Sequence, residues 1–336
     1  MAVIVPFESP SGASIDHLVE LVAADMERVN ATILSRTGSE VTMIPEVANH
    51  LISSGGKRLR PMLTLAMAGL TGYSGDGHIK LAASVEFMHT ATLLHDDVVD
   101  ESVLRRGLAS ANAVFGNQAS VLVGDFLFAR AFQLMVEDGS LVVLAILSRA
   151  AATIAEGEVL QLVTQNDLST SEARYLEVIK GKTAALFAAA CEVGAVVASR
   201  PAQDAAALAD YGMNLGIAFQ LVDDALDYAA DQAILGKTVG DDFREGKITL
   251  PVLVAYQSGD AADRDFWRRT IEATEQTEAD LDRALHLMAG CGAIRATLAR
   301  AAGFAEAAKA ALTPFPDNAL RRALMDVADY TVSRAR

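Results

Sequence analysis

Apolar and polar positions along the chain recur with the 3.6-residue period of a helix rather than the two-residue alternation of a strand. From Ala82 onward, Val85, His89, Leu93, Asp96 and Asp100 fall near one face of a single rod, so the two terminal aspartates look the same way. Similar periodicity runs through Ser120 to Val136, Val142 to Val163, Ala184 to Ala198 and Gly212 to Ala230. The polar turns TQNDLSTSE and ASRPAQD separate several of these segments, with Ser, Thr, Asp or Pro available to start the next helix. Only eight prolines occur and none lies between Pro61 and Pro201, which leaves that stretch without a forced break. The pattern predicts an all-α protein. No composition shift or flexible linker divides the chain, so one bundle spanning residues 1–336 is expected. The most polar region, roughly Asp260 to Asp282, reads as solvated helix and loop.

Composition narrows the functional classes. With 43 acidic against 28 basic residues and a formal charge of -15, general nucleic-acid binding is excluded, although a local basic pocket is not. Cys191 and Cys291 each stand alone in apolar sequence without metal-ligand spacing, which suits packed thiols in a reducing compartment; cytoplasm is the expected location. The N-terminal MAVIVPFESP has no basic start and its apolar run stops at Pro6, unlike a secretory signal. Apolar stretches such as AALFAAACEVGAVVAS are interrupted by charge before the roughly 18 to 20 residues a membrane span needs, so no transmembrane segment is expected.

Two acidic clusters change the picture. The pattern DDxxD occurs at Asp96, Asp97, Asp100 and again at Asp223, Asp224, Asp227, each in a strongly apolar helical context. On a helix, residues i and i+4 are neighbours, so each cluster presents two carboxylates at one level. Left bare they would repel, and unpaired charge in apolar surroundings is costly. A solvated helix end explains one such cluster; two of them beside basic residues point to Mg²⁺, an oxygen-seeking ion shared between carboxylates and substrate phosphates.

Cations suited to those phosphates are present. GGKRLRP, from Gly55 to Pro61, combines flexible backbone with Lys57, Arg58 and Arg60, and Arg105 and Arg106 follow the first cluster. Arginine forks match phosphate oxygens and lysine supplies a compact charge. Lys182 and Thr183 in KGKTA, Gln220 ahead of the second cluster, and Lys237 and Lys247 in LGKTVGDDFREGKITLP extend the set. The last segment lacks Walker spacing, so a nucleotide site is a weak reading.

These motifs, in this order between about Gly55 and Pro251, resemble those of the trans-isoprenyl diphosphate synthases, the polyprenyl synthetase family, and among them the long-chain octaprenyl to decaprenyl enzymes of quinone side-chain synthesis. The resemblance implies the isoprenoid synthase fold, a single helical bundle around a deep central cavity, and a homodimer with peripheral membrane contact for product release. It implies isopentenyl diphosphate held by Lys57, Arg60, His89 and Arg106, and an allylic diphosphate contacted by Arg105, Lys182, Thr183, Gln220, Lys237 and Lys247. Three Mg²⁺ ions would be shared by Asp96, Asp100 and Asp223, with Asp97, Asp224 and Asp227 ligating through water or orienting the ligands. His95, Asp125, Glu158 and Gln161 read as packing or surface residues.

Short-chain relatives carry an aromatic four or five residues before the first aspartate, where this chain has Thr92 and Ala91. A deep cavity is therefore expected, with Met88 or Phe87 lining its wall and Phe132 as its floor. A shorter-chain synthase is the alternative. A class I terpene cyclase fits less well, because its second metal motif differs, and a non-catalytic synthase subunit tends to lose one aspartate cluster.

Overall fold

The computed structural model describes residues 14–53, 55–229 and 239–334; Lys237 lies outside them. Helices α1 (Asp16–Thr37), α2 (Met43–Ser53) and α3 (Leu59–Leu70) lead into α4 (Gly77–Val99). A minimal hairpin, β1 (Leu104–Arg105) and β2 (Leu108–Ala109), precedes α5 (Ala111–Phe115), α6 (Asn117–Asp138), α7 (Leu141–Thr164) and α8 (Glu172–Ile179). The backbone then widens into a π-helical turn over Lys180–Ala184 and continues as α9 (Ala185–Val197) and α10 (Ala202–Ala229). The last third comprises α11 (Asp241–Arg244), α12 (Leu250–Ser258), α13 (Ala261–Trp267), α14 (Asp280–Cys291), α15 (Ala293–Ala311) and α16 (Ala319–Ser333). The all-α expectation holds: the hairpin is the one sheet among the described residues.

Polar residues start the helices as the sequence suggested. Ser140, Ser171, Asp260 and Asn318 each accept a hydrogen bond from the backbone N–H three residues on. Helix α10 begins at Ala202, ten residues earlier than the Gly212 expected, because Pro201 sets its start and the first turns are too alanine-rich to show a period.

Two apolar clusters form the core, and α10 belongs to both. Its Leu215 and Ala218 pack with Phe87, Met88 and Phe187, while its Ile217, Leu221 and Val222 pack with Phe243, Trp267 and Ile271. Helix α10 lies directly on α9, since a Cβ on Gly212 would stand 2.4 Å from the Phe187 carbonyl oxygen. Helix α4 is buried on nearly every side until its last turn. Both aspartate-bearing helices are thus fixed along their length.

Two expectations need correction. The Asp260 to Asp282 region is not simply solvated: Phe266, Trp267 and Ile271 are 3%, 0% and 0% exposed, because apolar residues at helical spacing put one face of this segment into the second cluster. Cys191 is buried, but Cys291 is exposed at the end of α14. One helix among the described residues, α6, is long and apolar enough to cross a membrane by length and composition alone, a test that core helices also pass, and 44% of its apolar window is packed inside the protein.

Candidate active site

A cavity of about 1190 Å³ opens between α4, α10 and the π-helical turn. Asp96 and Asp100 line one wall, and Asp223, Asp224 and Asp227 line another, so two motifs more than a hundred residues apart share one void. Lys57, Arg60, His89, Arg105, Arg106, Lys182, Thr183, Gln220 and Lys247 line the same cavity. Asp97 does not. It is fully buried and accepts from Arg105 Nε at 2.9 Å, because the next position on the helix turns its side chain away from the void.

The carboxylates are crowded. Burial, together with Glu158 and Asp100, pushes the Asp96 carboxyl up to about 7 against the pull of Lys182 and Arg105. Burial beside Asp242 pushes Asp224 up to about 7 as well. Asp224 accepts from Tyr175 Oη at 2.5 Å and from Gln220 Nε2 at 2.7 Å, and Thr183 Oγ1 donates to Gln220 Oε1 at 2.7 Å. Asp227 accepts from the Asp242 backbone N–H at 3.1 Å, which ties α10 to α11.

Cations of the chain stand against these acids. Lys247 Nζ lies 3.2 Å from Asp100 Oδ2 and also pairs with Glu245. Burial lowers its proton affinity, but Asp242, Asp100 and Glu245 outweigh that and hold the ammonium firmly charged. Lys182 Nζ donates to Glu158 Oε2 at 2.8 Å, and the Asp96, Glu158 and Asp100 carboxylates likewise override its desolvation. The π-helical turn is what brings Lys182 and Thr183 to the void; such single-turn widenings are frequent at functional sites.

The basic half gathers at the start of α3. Arg60 is buried, which lowers it to about 10, and its guanidinium stacks over Phe187 at 4.2 Å. Its Nη1 donates to His89 Nε2 at 3.2 Å, and burial among Arg60, Arg106, Arg105 and Arg58 keeps His89 neutral. Arg106 and Gly107, with φ of 54° and 78°, form the central pair of the two-residue hairpin turn, a geometry that glycine accepts without strain. Glu86, on α4, lies 3.4 Å from Arg58 Nη1 and supplies the counter-charge inside this cluster. The Arg60 Nε atom is buried without a hydrogen bond, as expected of a cation awaiting an anion.

Of the chain-length residues, Thr92 lines the cavity and donates to the His89 carbonyl at 2.8 Å, while Met88 and Ala91 are fully buried just behind it. Phe132 is not a floor. It lies 37% exposed on α6 with Leu122 and Val136 and is absent from the cavity lining, because it falls on the helix face turned away from α4. Sequence reasoning gave Glu158 and Gln161 a packing or surface role, whereas Gln161 lines the cavity and Glu158 holds Lys182, and it passed over Glu86, Tyr175, Tyr330 and Arg334. Glu158 and Gln161 sit one turn apart ahead of the π-helical turn, a signal that was present; Tyr330 and Arg334 lie some hundred residues beyond the second motif and gave none.

The donor set suits hard divalent cations: every acidic ligand candidate offers oxygen, and Asp100 and Asp223 are each paired with a positive side chain, Lys247 and Arg334. Among the described residues no three acidic, His or Cys side chains converge closely enough to hold a metal unaided.

Residues 41–288 match the polyprenyl synthetase family. Octaprenyl diphosphate synthase of Escherichia coli (strain K12) is 48% identical over 323 residues, covering 96% of this chain and 100% of that protein. A polyprenyl synthase from Caulobacter crescentus CB15, solved in complex with calcium and isoprenyl diphosphate, superposes with a TM-score of 0.95 at 56% identity, covering 98% of this chain and 100% of that one. A decaprenyl diphosphate synthase from Rhodobacter capsulatus superposes with a TM-score of 0.92 at 55% identity, covering 96% and 100%. The chain belongs to the polyprenyl synthetase family, prenyltransferases with the all-α isoprenoid synthase fold.

Proposed function

We propose that this enzyme is a long-chain all-trans polyprenyl diphosphate synthase of the octaprenyl to decaprenyl range, condensing isopentenyl diphosphate onto an allylic diphosphate with release of diphosphate. The observation that carries this reading is the shared cavity in which residues of both DDxxD motifs face an arginine cluster. Divalent cations, assigned as three Mg²⁺, would be held by Asp96, Asp100 and Asp223, and when bound they supply electrophilic pull on the leaving diphosphate.

The protein's own groups do the rest. Lys57, Arg60 and Arg106 grip the isopentenyl diphosphate, and neutral His89 fixes the Arg60 guanidinium by accepting from it. Lys182 and Lys247, held charged by their acidic neighbours, stabilise negative charge as the allylic C–O bond breaks. The Thr183–Gln220–Asp224–Tyr175 chain fixes the floor under the allylic group. Phe187 and Phe219, 5.6 Å apart, form an apolar wall that excludes water from the developing carbocation. The isopentenyl double bond attacks, a new C–C bond forms, and a proton leaves to the departing diphosphate.

Thr92 and Ala91, small beside the first aspartate, favour long products by leaving the first turn of the channel unblocked. Surface apolar residues of α6 and α7, among them Leu122, Val136, Leu141 and Val163, support the homodimer, since monomers rarely expose so much. A single domain, a cytoplasmic site and a role in quinone side-chain synthesis complete the reading. Labelled isopentenyl diphosphate, each candidate primer and Mg²⁺, incubated with purified protein and sized by chromatography, tests it. Elongated diphosphates are expected; cyclised hydrocarbons would point to a terpene cyclase. Asp96→Ala should abolish most turnover with the fold intact, and near-normal activity would sink the metal assignment.

A further inference from the structure

Besides lysines, the acidic wall has a guanidinium that no motif contains. Arg334, at the end of α16, places Nη2 3.1 Å from Asp223 Oδ1. Its guanidinium stacks over the Phe219 ring at 4.0 Å, Nη2 reaches the Phe219 carbonyl at 3.5 Å, and Nε donates to the Thr331 carbonyl at 3.4 Å. The Arg334 side chain is only 15% exposed, so it is lodged in the cavity rather than waving in solvent. One turn earlier, Tyr330 accepts from Lys57 and lies under its ammonium, 4.6 Å from ring centre to Nζ. The last turn of α16 therefore touches both halves of the site: a cation of the arginine cluster and an acid of the second motif.

We propose that Arg334 is the resident counter-ion of Asp223, and that a divalent cation enters the second motif only by displacing it. The inference rests on the reading of Asp223 as a metal ligand. A divalent cation and a guanidinium held against the same carboxylate, with no further anion beside them, repel each other strongly. A cation arriving alone must overcome the loss of the Arg334 pair. A cation arriving with a diphosphate does not, because the displaced guanidinium then faces a new anion in the same cavity, to which arginine is well matched. Arg334 thus couples metal entry at Asp223 to diphosphate binding, and by linkage the coupling acts equally in both directions. It is a positioning residue: it acts on the reaction through Asp223.

Manganese tests this, as a spin probe that is counted free in solution by electron paramagnetic resonance. The full-length protein and its Arg334→Gln, Arg334→Lys and Asp223→Asn variants are titrated with Mn²⁺, with and without inorganic diphosphate. Without diphosphate, Arg334→Gln should bind Mn²⁺ about two- to fivefold more tightly than the parent, the size of a partly exposed ion pair. The gain in Mn²⁺ affinity on adding diphosphate should shrink in Arg334→Gln and survive in Arg334→Lys, which keeps the charge. Unchanged Mn²⁺ affinity in Arg334→Gln, beside weakened binding in Asp223→Asn, overturns the counter-ion role alone. Full Mn²⁺ binding by Asp223→Asn with diphosphate present removes the metal reading itself, and the inference with it.

Discussion

Gly157 sits in mid-α7, where the helix passes under the π-helical turn that carries Lys182. A Cβ added there would stand 2.4 Å from the Lys182 backbone nitrogen and 2.7 Å from the Gly181 carbonyl carbon. Ordinary contact begins near 3.4 Å, so Gly157→Ala must separate the two segments by about 1 Å. Overpacking of this kind costs about 1–3 kcal/mol, offset by up to ~1 kcal/mol from alanine's better helix propensity. At roughly 2 cal/mol/K per residue over 336 residues, a net loss of about 1–2 kcal/mol lowers Tm by only about 1–3 °C. Catalysis should suffer far more. The Lys182–Glu158 contact is 2.8 Å, and a displacement near 1 Å carries it beyond hydrogen-bond range and costs on the order of a hundredfold in turnover. Steady-state kinetics beside thermal unfolding separate the two effects: kcat falls about a hundredfold, Tm barely moves, and KM for isopentenyl diphosphate holds, since Lys57 and Arg60 stand apart from the π-helical turn. Gly303→Ala, where a Cβ meets nothing within 4 Å, is the control and should stabilise by about 0.5–1 kcal/mol with kinetics unaltered. A kcat within twofold of the parent in Gly157→Ala would refute the claim that close approach at this glycine sets the position of Lys182.

Other perturbations have equally definite outcomes. Arg105→Met strands the fully buried Asp97 carboxylate and should cost about 3–5 kcal/mol in urea unfolding, much of it recovered by adding Asp97→Leu; a loss below about 1 kcal/mol contradicts the pairing. Asp96 holds its proton up to about 7 in the fold against 3.8 unfolded, so its contribution to stability declines as pH rises between those values and is flat above. Neutral, buried His89 contributes the opposite slope below its ordinary value, so the comparison is made against Asp96→Asn. Without divalent cations that variant should gain stability relative to the parent between about pH 5 and 7.5, and a pH-independent difference would count against the shift. Ala91→Phe, at a fully buried position behind Thr92, should shorten the products, whereas Phe132→Ala on the α6 surface should leave their length in place; chromatography of the products decides both.

How much of this was legible in the chain follows from what each feature depends on. The aspartate motifs could be read because carboxylates in an apolar helical setting contradict their own surroundings, and only a shared cation resolves the contradiction. Fold class followed from period and from the proline-free stretch, which act locally. Phe132 could not be assigned from its neighbours: an aromatic on an apolar helix has the same local pattern whether it faces a cavity or the outer surface, and only the packing of α6 on α4 decides. The π-helical turn left no trace in composition, yet it aims Lys182 and Thr183 at the cavity. Arg334 was beyond reach for a related reason, since α16 meets the second motif only through the tertiary packing of α10. The site therefore divides into ligands that sequence marks by their chemical incongruity and counter-ions that only folding brings to them. Glu86, Glu158 and Arg334 belong to the second group, and each sits beside a residue of the first. A site that must stay folded before substrate arrives needs such internal partners, because the charges meant for metal and diphosphate are otherwise unmatched in a partly desolvated cavity. The residues easiest to overlook in the sequence are thus the ones that make the empty site stable enough to exist.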